Sequence, residues 1–336
     1  MKIVVTIPQG EVMDTFLSAD TRKRLESLGT VVYNESTAQY TPDEVRELLR
    51  DAQVVVTGWG TPKLTGELLA DNDSLRLIVH TGGSVADLVD EGTYAKGIRV
   101  LCGNDMFAES VAEGTIGYML SALRRIPDDV FTLRNGGWKN GVVTRGLLGK
   151  QIGILGVGAI ARHLMRMLQP FHCSFLVWDA NYTVDPDYLA SVNAKQVSLE
   201  EVLTSCNIIS LHASLTPKSH GMIGRREFEM MQPGTVFINS ARGAIIRQQE
   251  MAEVLRDRPE LFAVLDVFEV EPLPTDDLLR TLDNVYLIPH RGGPTVDYRE
   301  QIGAAVVEDI ANWINGKELA HEIGVSAAMR MTSHKK

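Results

Sequence analysis

The chain has 336 residues, 44% hydrophobic and 23% charged, with 33 Lys and Arg against 43 Asp and Glu, a formal charge of −10. That length predicts about two domains, and the composition excludes disordered, collagen-like and coiled-coil chains. The acidic balance without a basic block argues against a nucleic-acid or anionic-membrane surface, and no apolar run approaches the roughly 18 residues of a membrane span.

Met1–Pro8 is too short an apolar run for a signal peptide and reads as a first buried strand. Cys102, Cys173 and Cys206 make no metal or redox spacing, and their odd number argues against a disulfide framework. No metal site is expected, and a reducing, cytoplasmic location follows.

Ile3–Ile7, Val31–Tyr33, Val54–Thr57 and Leu75–Val79 read as strands. Thr21–Leu28, Pro42–Arg50 and Leu64–Ala70 read as the helices between them. Thr41-Pro42-Asp43-Glu44 is a helix start, with Thr as N-cap, Pro next and two acids in the first turn. Alternating strands and helices imply a parallel sheet covered on both faces. Ala108–Arg125 reads as a long helix, followed by an irregular polar loop, Arg134–Gly141. A second series follows, with strands Gln151–Leu155, Ser174–Trp178, Ile208–Leu211, Thr235–Asn239, Ala263–Val267 and Val285–Ile288. Its end is a helix over Val296–Ile314, and the tail Met331–Lys336 is expected to fray.

Gln151–Ala161 runs strand, GxGxxA, helix. Gly156 permits a tight turn, and Gly158 lets a pyrophosphate approach the backbone. The small Ala161 lets helix and strand pack closely, and the helix N-terminus supplies N–H groups. The next strand ends at Asp179, 18 residues beyond Ala161, near the spacing of an acid that binds the adenosine ribose. A carboxylate there accepts from a 2′-OH and repels a 2′-phosphate, and no arginine follows in Ala180–Thr183. The sequence therefore predicts NAD over NADP.

Three charged residues follow strands of this second series: Arg242, Glu271 and His290. Ligands of open parallel sheets bind beyond the carboxyl ends of the strands. There Arg242 can hold a carboxylate in its planar fork. His290 can exchange a proton with a carbonyl oxygen, and Glu271 can fix its tautomer and raise its pKa.

These motifs resemble the D-isomer-specific 2-hydroxyacid dehydrogenases. The resemblance spans nearly the whole chain and rests on Asn104–Glu113, Leu155–Ile160, Leu211–Pro217, Met231–Gly243, Leu265–Leu273 and Pro289-His290. It implies two doubly wound α/β domains. The NAD-binding Rossmann domain (102–292) is inserted in a substrate domain built from 1–101 and 293–336, with the hinge at the two crossings. It implies Arg242 as carboxylate binder, Glu271 as partner of the histidine and His290 as acid/base. Cofactor contacts are implied from Gly156, Gly158, Ala159, Ile160, Asp179, Ala213, Ser240, Asp266 and Gly292, and substrate contacts from Gly83 and Ser84 in the turn Thr81–Val85. A homodimer through the cofactor domain is implied as well.

There are departures. The third turn position is Ala161, Arg247 stands where many members have an acid, and Asp87 falls one place late after Val85-Ala86. Glu271 stands where formate dehydrogenases of the wider family carry glutamine, which argues against that subgroup. The alternative is an NAD(H)-binding regulatory protein of the co-repressor type, which has no use for an acid/base pair. Trp59, His80, His212 and Trp138 have readings as site residues and as packing or interface residues, and the substrate side chain is not legible.

Overall fold

The computed structural model describes residues 1–139 and 141–332. Asn140, in the expected polar loop, and residues 333–336, most of the expected frayed tail, lie outside the described residues. The chain divides into two compact units, one of Met1–Ala108 with the segment from Pro294, the other Glu109–Gly293.

The first unit carries a five-stranded parallel sheet. Its strands are β1 (Lys2–Val5), β2 (Thr30–Tyr33), β3 (Val54–Thr57), β4 (Leu77–His80) and β5 (Arg99–Cys102), in the order β2-β1-β3-β4-β5. Alternate residues face opposite cores. Val4, Val55, Ile78 and Val100 enter one, and Ile3, Val5, Val54, Val56, Leu77 and Val79 the other. This is why the strands read as unbroken apolar runs rather than as polar–apolar alternation. The helix Val296–Ile314 closes the second core with Val306, Val307 and Ile310. A Cβ on Gly303 would lie 1.6 Å from the Phe16 carbonyl oxygen, so only glycine lets that helix pass so close.

The second unit carries seven parallel strands: β6 (Gln151–Leu155), β7 (Ser174–Trp178), β8 (Ala194–Gln196), β9 (Ile208–Leu211), β10 (Val236–Asn239), β11 (Phe262–Leu265) and β12 (Val285–Leu287). Their order is β12-β11-β10-β9-β6-β7-β8. The order reverses between β6 and β9, so the ligand crevice of such a sheet lies beyond their carboxyl ends.

One expectation needs correction. Leu64–Ala70 forms a turn rather than a helix. The Gly66 N–H donates to Asp90, and a Cβ at Gly66 would lie 2.7 Å from the Gly92 backbone. Leu64, Leu68 and Leu69 are buried in one core all the same. Between the long helix and the polar loop lies a stretch for which the sequence gives no reading. Asn104–Arg124 is followed by a second helix, Ile126–Arg134, which buries no residue and so shows no amphipathic stripe in the sequence.

Candidate active site

The glycine-rich turn leaves β6 and enters the helix Ala159–Met167, whose N-cap Gly158 supplies no side-chain cap. Its first-turn N–H groups therefore remain for an anion. Gly156 has a φ of 94°, and a Cβ there would lie 2.6 Å from the Ala213 backbone. The turn is thus pressed against the loop that follows β9. A Cβ at Gly158 would meet nothing within 4 Å, so the space beside it is open. Ala161 is fully buried. Asp179, just beyond β7, accepts N–H bonds from Val157 and Asn181, each at 2.9 Å. A carboxylate has about four lone-pair positions, so acceptor capacity remains for a diol. The chain thus fits a dinucleotide here.

His212 is buried in the loop after β9. Its Nε2 pairs with Ser210 Oγ at 2.8 Å, its Nδ1 has no partner, and burial pushes its pKa down to about 4. It is a neutral imidazole behind the loop that carries Ala213.

At the other strand ends, three loops close on one another. A Cβ on Gly243 would lie 1.9 Å from the Phe268 carbonyl carbon, and one on Gly292 would lie 2.4 Å from an Asp266 oxygen. The loops carrying Ser240 to Gly243, Asp266 to Glu271 and His290 to Gly292 are therefore in contact. Asp266 is buried and accepts the N–H groups of Arg291 and Gly292, both at 2.7 Å, and the Tyr118 hydroxyl at 3.3 Å. Burial raises its pKa, opposed by the two N–H groups. Glu271 accepts the Phe268 N–H at 2.9 Å on one oxygen, and His290 Nδ1 lies 2.6 Å from the other. With the carboxylate ionised, Nδ1 carries the proton and Nε2 is the nitrogen left for chemistry. Arg242 is half-buried and donates from one terminal nitrogen to the Ala241 carbonyl.

Residue-by-residue reading of the sequence missed Thr115 and Tyr118. Both lie on the helix Asn104–Arg124, where Thr115 pairs with Ser240 and Tyr118 with Asp266. The available signal was polar residues three apart on an otherwise small and apolar helix face.

In the first unit, the turn after β4 has its carbonyls occupied. Gly82 accepts from Cys102 Sγ and Gly83 from Asn104 Nδ2. Among the described residues, the N–H groups of Gly82, Gly83 and Ser84 donate to no protein acceptor. His80 is buried with its Nδ1 3.0 Å from Thr57 Oγ1. Trp59 packs edge-on against Phe16 and Phe107, which favours its packing reading. Arg247 is an exposed residue bonded to the Gly221 carbonyl and paired with Glu250. Among the described residues there is no metal-binding cluster of His, Cys, Asp and Glu, and no helix long and apolar enough to cross a membrane.

Comparison with known proteins agrees with this geometry. Residues 116–292 match the family model described as D-isomer specific 2-hydroxyacid dehydrogenase, NAD binding domain. The chain is 33% identical to a D-3-phosphoglycerate dehydrogenase of Methanocaldococcus jannaschii, over 96% of its own length and 59% of that protein. It thus spans well under two thirds of that relative. It is 30% identical to a hydroxypyruvate reductase of Thermotoga maritima, over 80% of this chain and 87% of that one. A crystal structure of a phosphoglycerate oxidoreductase from Rhizobium etli superposes with a TM-score of 0.79 at 24% identity, covering 97% of this chain and 98% of the other. That likeness establishes the fold alone.

Proposed function

Since the chain belongs to the D-isomer-specific 2-hydroxyacid dehydrogenase family, we propose that it interconverts a 2-oxo acid and a D-2-hydroxy acid, with His290 as the acid/base group. The family's cofactor is NAD, and the open space at Gly158, the uncapped helix start and the Asp179 carboxylate fit it. When bound, it supplies the hydride acceptor, or in reduced form the donor.

The observation that carries the proposal is the His290–Glu271 bond at 2.6 Å, with Glu271 itself fixed by the Phe268 N–H. As hydride reaches C2 in the reducing direction, negative charge grows on the carbonyl oxygen. His290 Nε2 gives that oxygen a proton, and in the oxidising direction it takes the proton back. Arg242 pairs with the substrate carboxylate and draws electron density from the adjacent carbonyl. Ala159, Ile160, Ala213, Ser240, Asp266 and Gly292 are assigned to the cofactor, alongside Gly156, Gly158 and Asp179. The first unit is assigned as the substrate domain, with the N–H groups of Gly83 and Ser84 presented to the carboxylate. A sensor of NAD(H) has no use for the His290–Glu271 pair, so the enzymatic reading is preferred to the regulatory one.

A homodimer through the cofactor unit is part of the same proposal. Phe131, Trp138, Val143 and Leu148 of that unit are each at least 70% exposed, apolar side chains that a partner copy would cover. The activity is tested by following NADH oxidation with glyoxylate, pyruvate, hydroxypyruvate, and branched and aromatic 2-oxo acids. Turnover with at least one of them is the expected result.

A further inference from the structure

We propose that residues 319–332 form a strap that holds the Gly82–Ser84 turn in its ligand-ready shape, with Ser84, Met331 and Thr332 as positioning residues. The proposal rests on the reading of that turn as the carboxylate cradle.

The strap is built from the end of the helix Val296–Ile314 onward. Asp309, buried within that helix, accepts the N–H groups of Ala320 and His321, and its carboxylate lies 2.9 Å from His321 Nδ1. The chain then runs antiparallel beside the edge strand β5. The Cys102 N–H donates to the His321 carbonyl, the Ile323 N–H to the Val100 carbonyl, and Arg99 pairs with Glu322. The Tyr94 hydroxyl donates to the Ile323 carbonyl. This covers what is otherwise an open sheet edge. Beyond the short helix Val325–Ala328, with Ala328 fully buried, Met331 packs on the core of the same unit. The strap ends on the turn itself. The Ser84 hydroxyl donates to the Thr332 carbonyl at 2.8 Å, and the Val85 N–H approaches Met331 Sδ at 3.5 Å.

A turn built on Gly82-Gly83 has more backbone freedom to lose than any other pair. An anion cradle binds well only if its N–H groups already converge. Cys102 and Asn104 fix the turn through the carbonyls of Gly82 and Gly83. The strap fixes the other end, through the Ser84 side chain and the Val85 backbone. The Ser84 hydroxyl gives its one proton to the strap and accepts the Ala86 N–H at 3.4 Å, so the Ser84 N–H is the donor left for a ligand.

The test compares four variants of the 336-residue chain: Ser84→Ala, Ser84→Thr, deletion of 331–336 and deletion of 333–336. The readouts are steady-state kinetics with the best-reduced of glyoxylate, pyruvate and hydroxypyruvate, and NADH binding by fluorescence. Ser84→Ala and the longer deletion are expected to raise KM for the 2-oxo acid about fivefold, the equivalent of one hydrogen bond. In the longer deletion, turnover at saturation and NADH affinity should hold. The shorter deletion should match the parent chain, and Ser84→Thr, which keeps the hydroxyl, should recover KM relative to Ser84→Ala. An unchanged KM in Ser84→Ala overturns the proposal, and so does an equal effect of the two deletions. If the longer deletion fails to fold, Ser84→Ala decides alone. If the parent reduces no 2-oxo acid, the activity reading fails and the strap is judged by amide hydrogen exchange at Val85, Leu88 and Val89. Faster exchange in Ser84→Ala than in the parent supports it, and equal exchange overturns it.

Discussion

His290 Nδ1 and Glu271 Oε2 lie 2.6 Å apart although they follow different strands and are 19 residues apart. His290 takes a φ of 49°, a left-handed conformation uncommon for a residue with a side chain. Such a residue persists where its surroundings over-determine it. Here the Asp266 carboxylate holds the next two N–H groups, and Glu271 holds the ring.

Glu271→Gln tests the pair. A glutamine has one acceptor oxygen, yet both Phe268 N–H and His290 Nδ1–H point at this side chain. One of them loses its partner, or the imidazole changes tautomer. Turnover is expected to fall about a hundredfold, within the range of general acid–base effects. NADH affinity should be unchanged by fluorescence titration, and turnover within twofold of the parent would contradict the role.

Two glycines should fail in opposite ways. Gly158→Ala places a Cβ in open space, so thermal unfolding should stay within about 1 kcal/mol of the parent. NADH affinity should fall at least about tenfold, because the methyl group occupies the pyrophosphate's approach. Gly243→Ala drives a Cβ to 1.9 Å from the Phe268 backbone and should cost about 3 kcal/mol or more in unfolding experiments. A destabilised Gly158→Ala with normal NADH affinity would refute the assignment of that space.

Asp179→Ser removes the charge that excludes a 2′-phosphate. The ratio of kcat/KM for NADH to that for NADPH should fall about ten- to a hundredfold, the scale of a hydrogen bond to a charged group. An unchanged ratio would place cofactor selection elsewhere.

His212 makes acid stability legible. Its pKa is lowered by burial from 6.5 to about 4, so below pH 6.5 the unfolded chain binds a proton that the folded one refuses. Its contribution to stability is fully present above pH 6.5 and is lost as pH falls toward 4, by about 3 kcal/mol. Urea unfolding at pH 7 and at pH 4.5 should show His212→Gln losing less stability than the parent over that interval. Equal losses would remove His212 as the cause.

The cofactor half of the molecule was the more legible. The glycine turn, Asp179 and the three charged residues all follow strands, where backbone direction fixes the end of the sheet at which they emerge. Less could be read where long-range contacts override local pattern. The edge strand Arg99–Cys102 is four residues long and opens with a charge, and the strap beside it has no periodicity of its own. Leu64–Ala70 reads as a helix, but the Gly66 N–H bonds to Asp90, 24 residues on, and the segment forms a turn. The exposed helix Ile126–Arg134 has no buried face to announce it. The left-handed backbone of His290 depends on Asp266 and Glu271, each about 20 residues or more away, which no local signal records.

Proton transfer through His290 is read most directly from the turnover of His290→Ala with the parent's best 2-oxo acid, alongside its NADH affinity. A loss of about a hundredfold or more in kcat with NADH affinity unchanged is the expected result. Turnover close to that of the parent would contradict it.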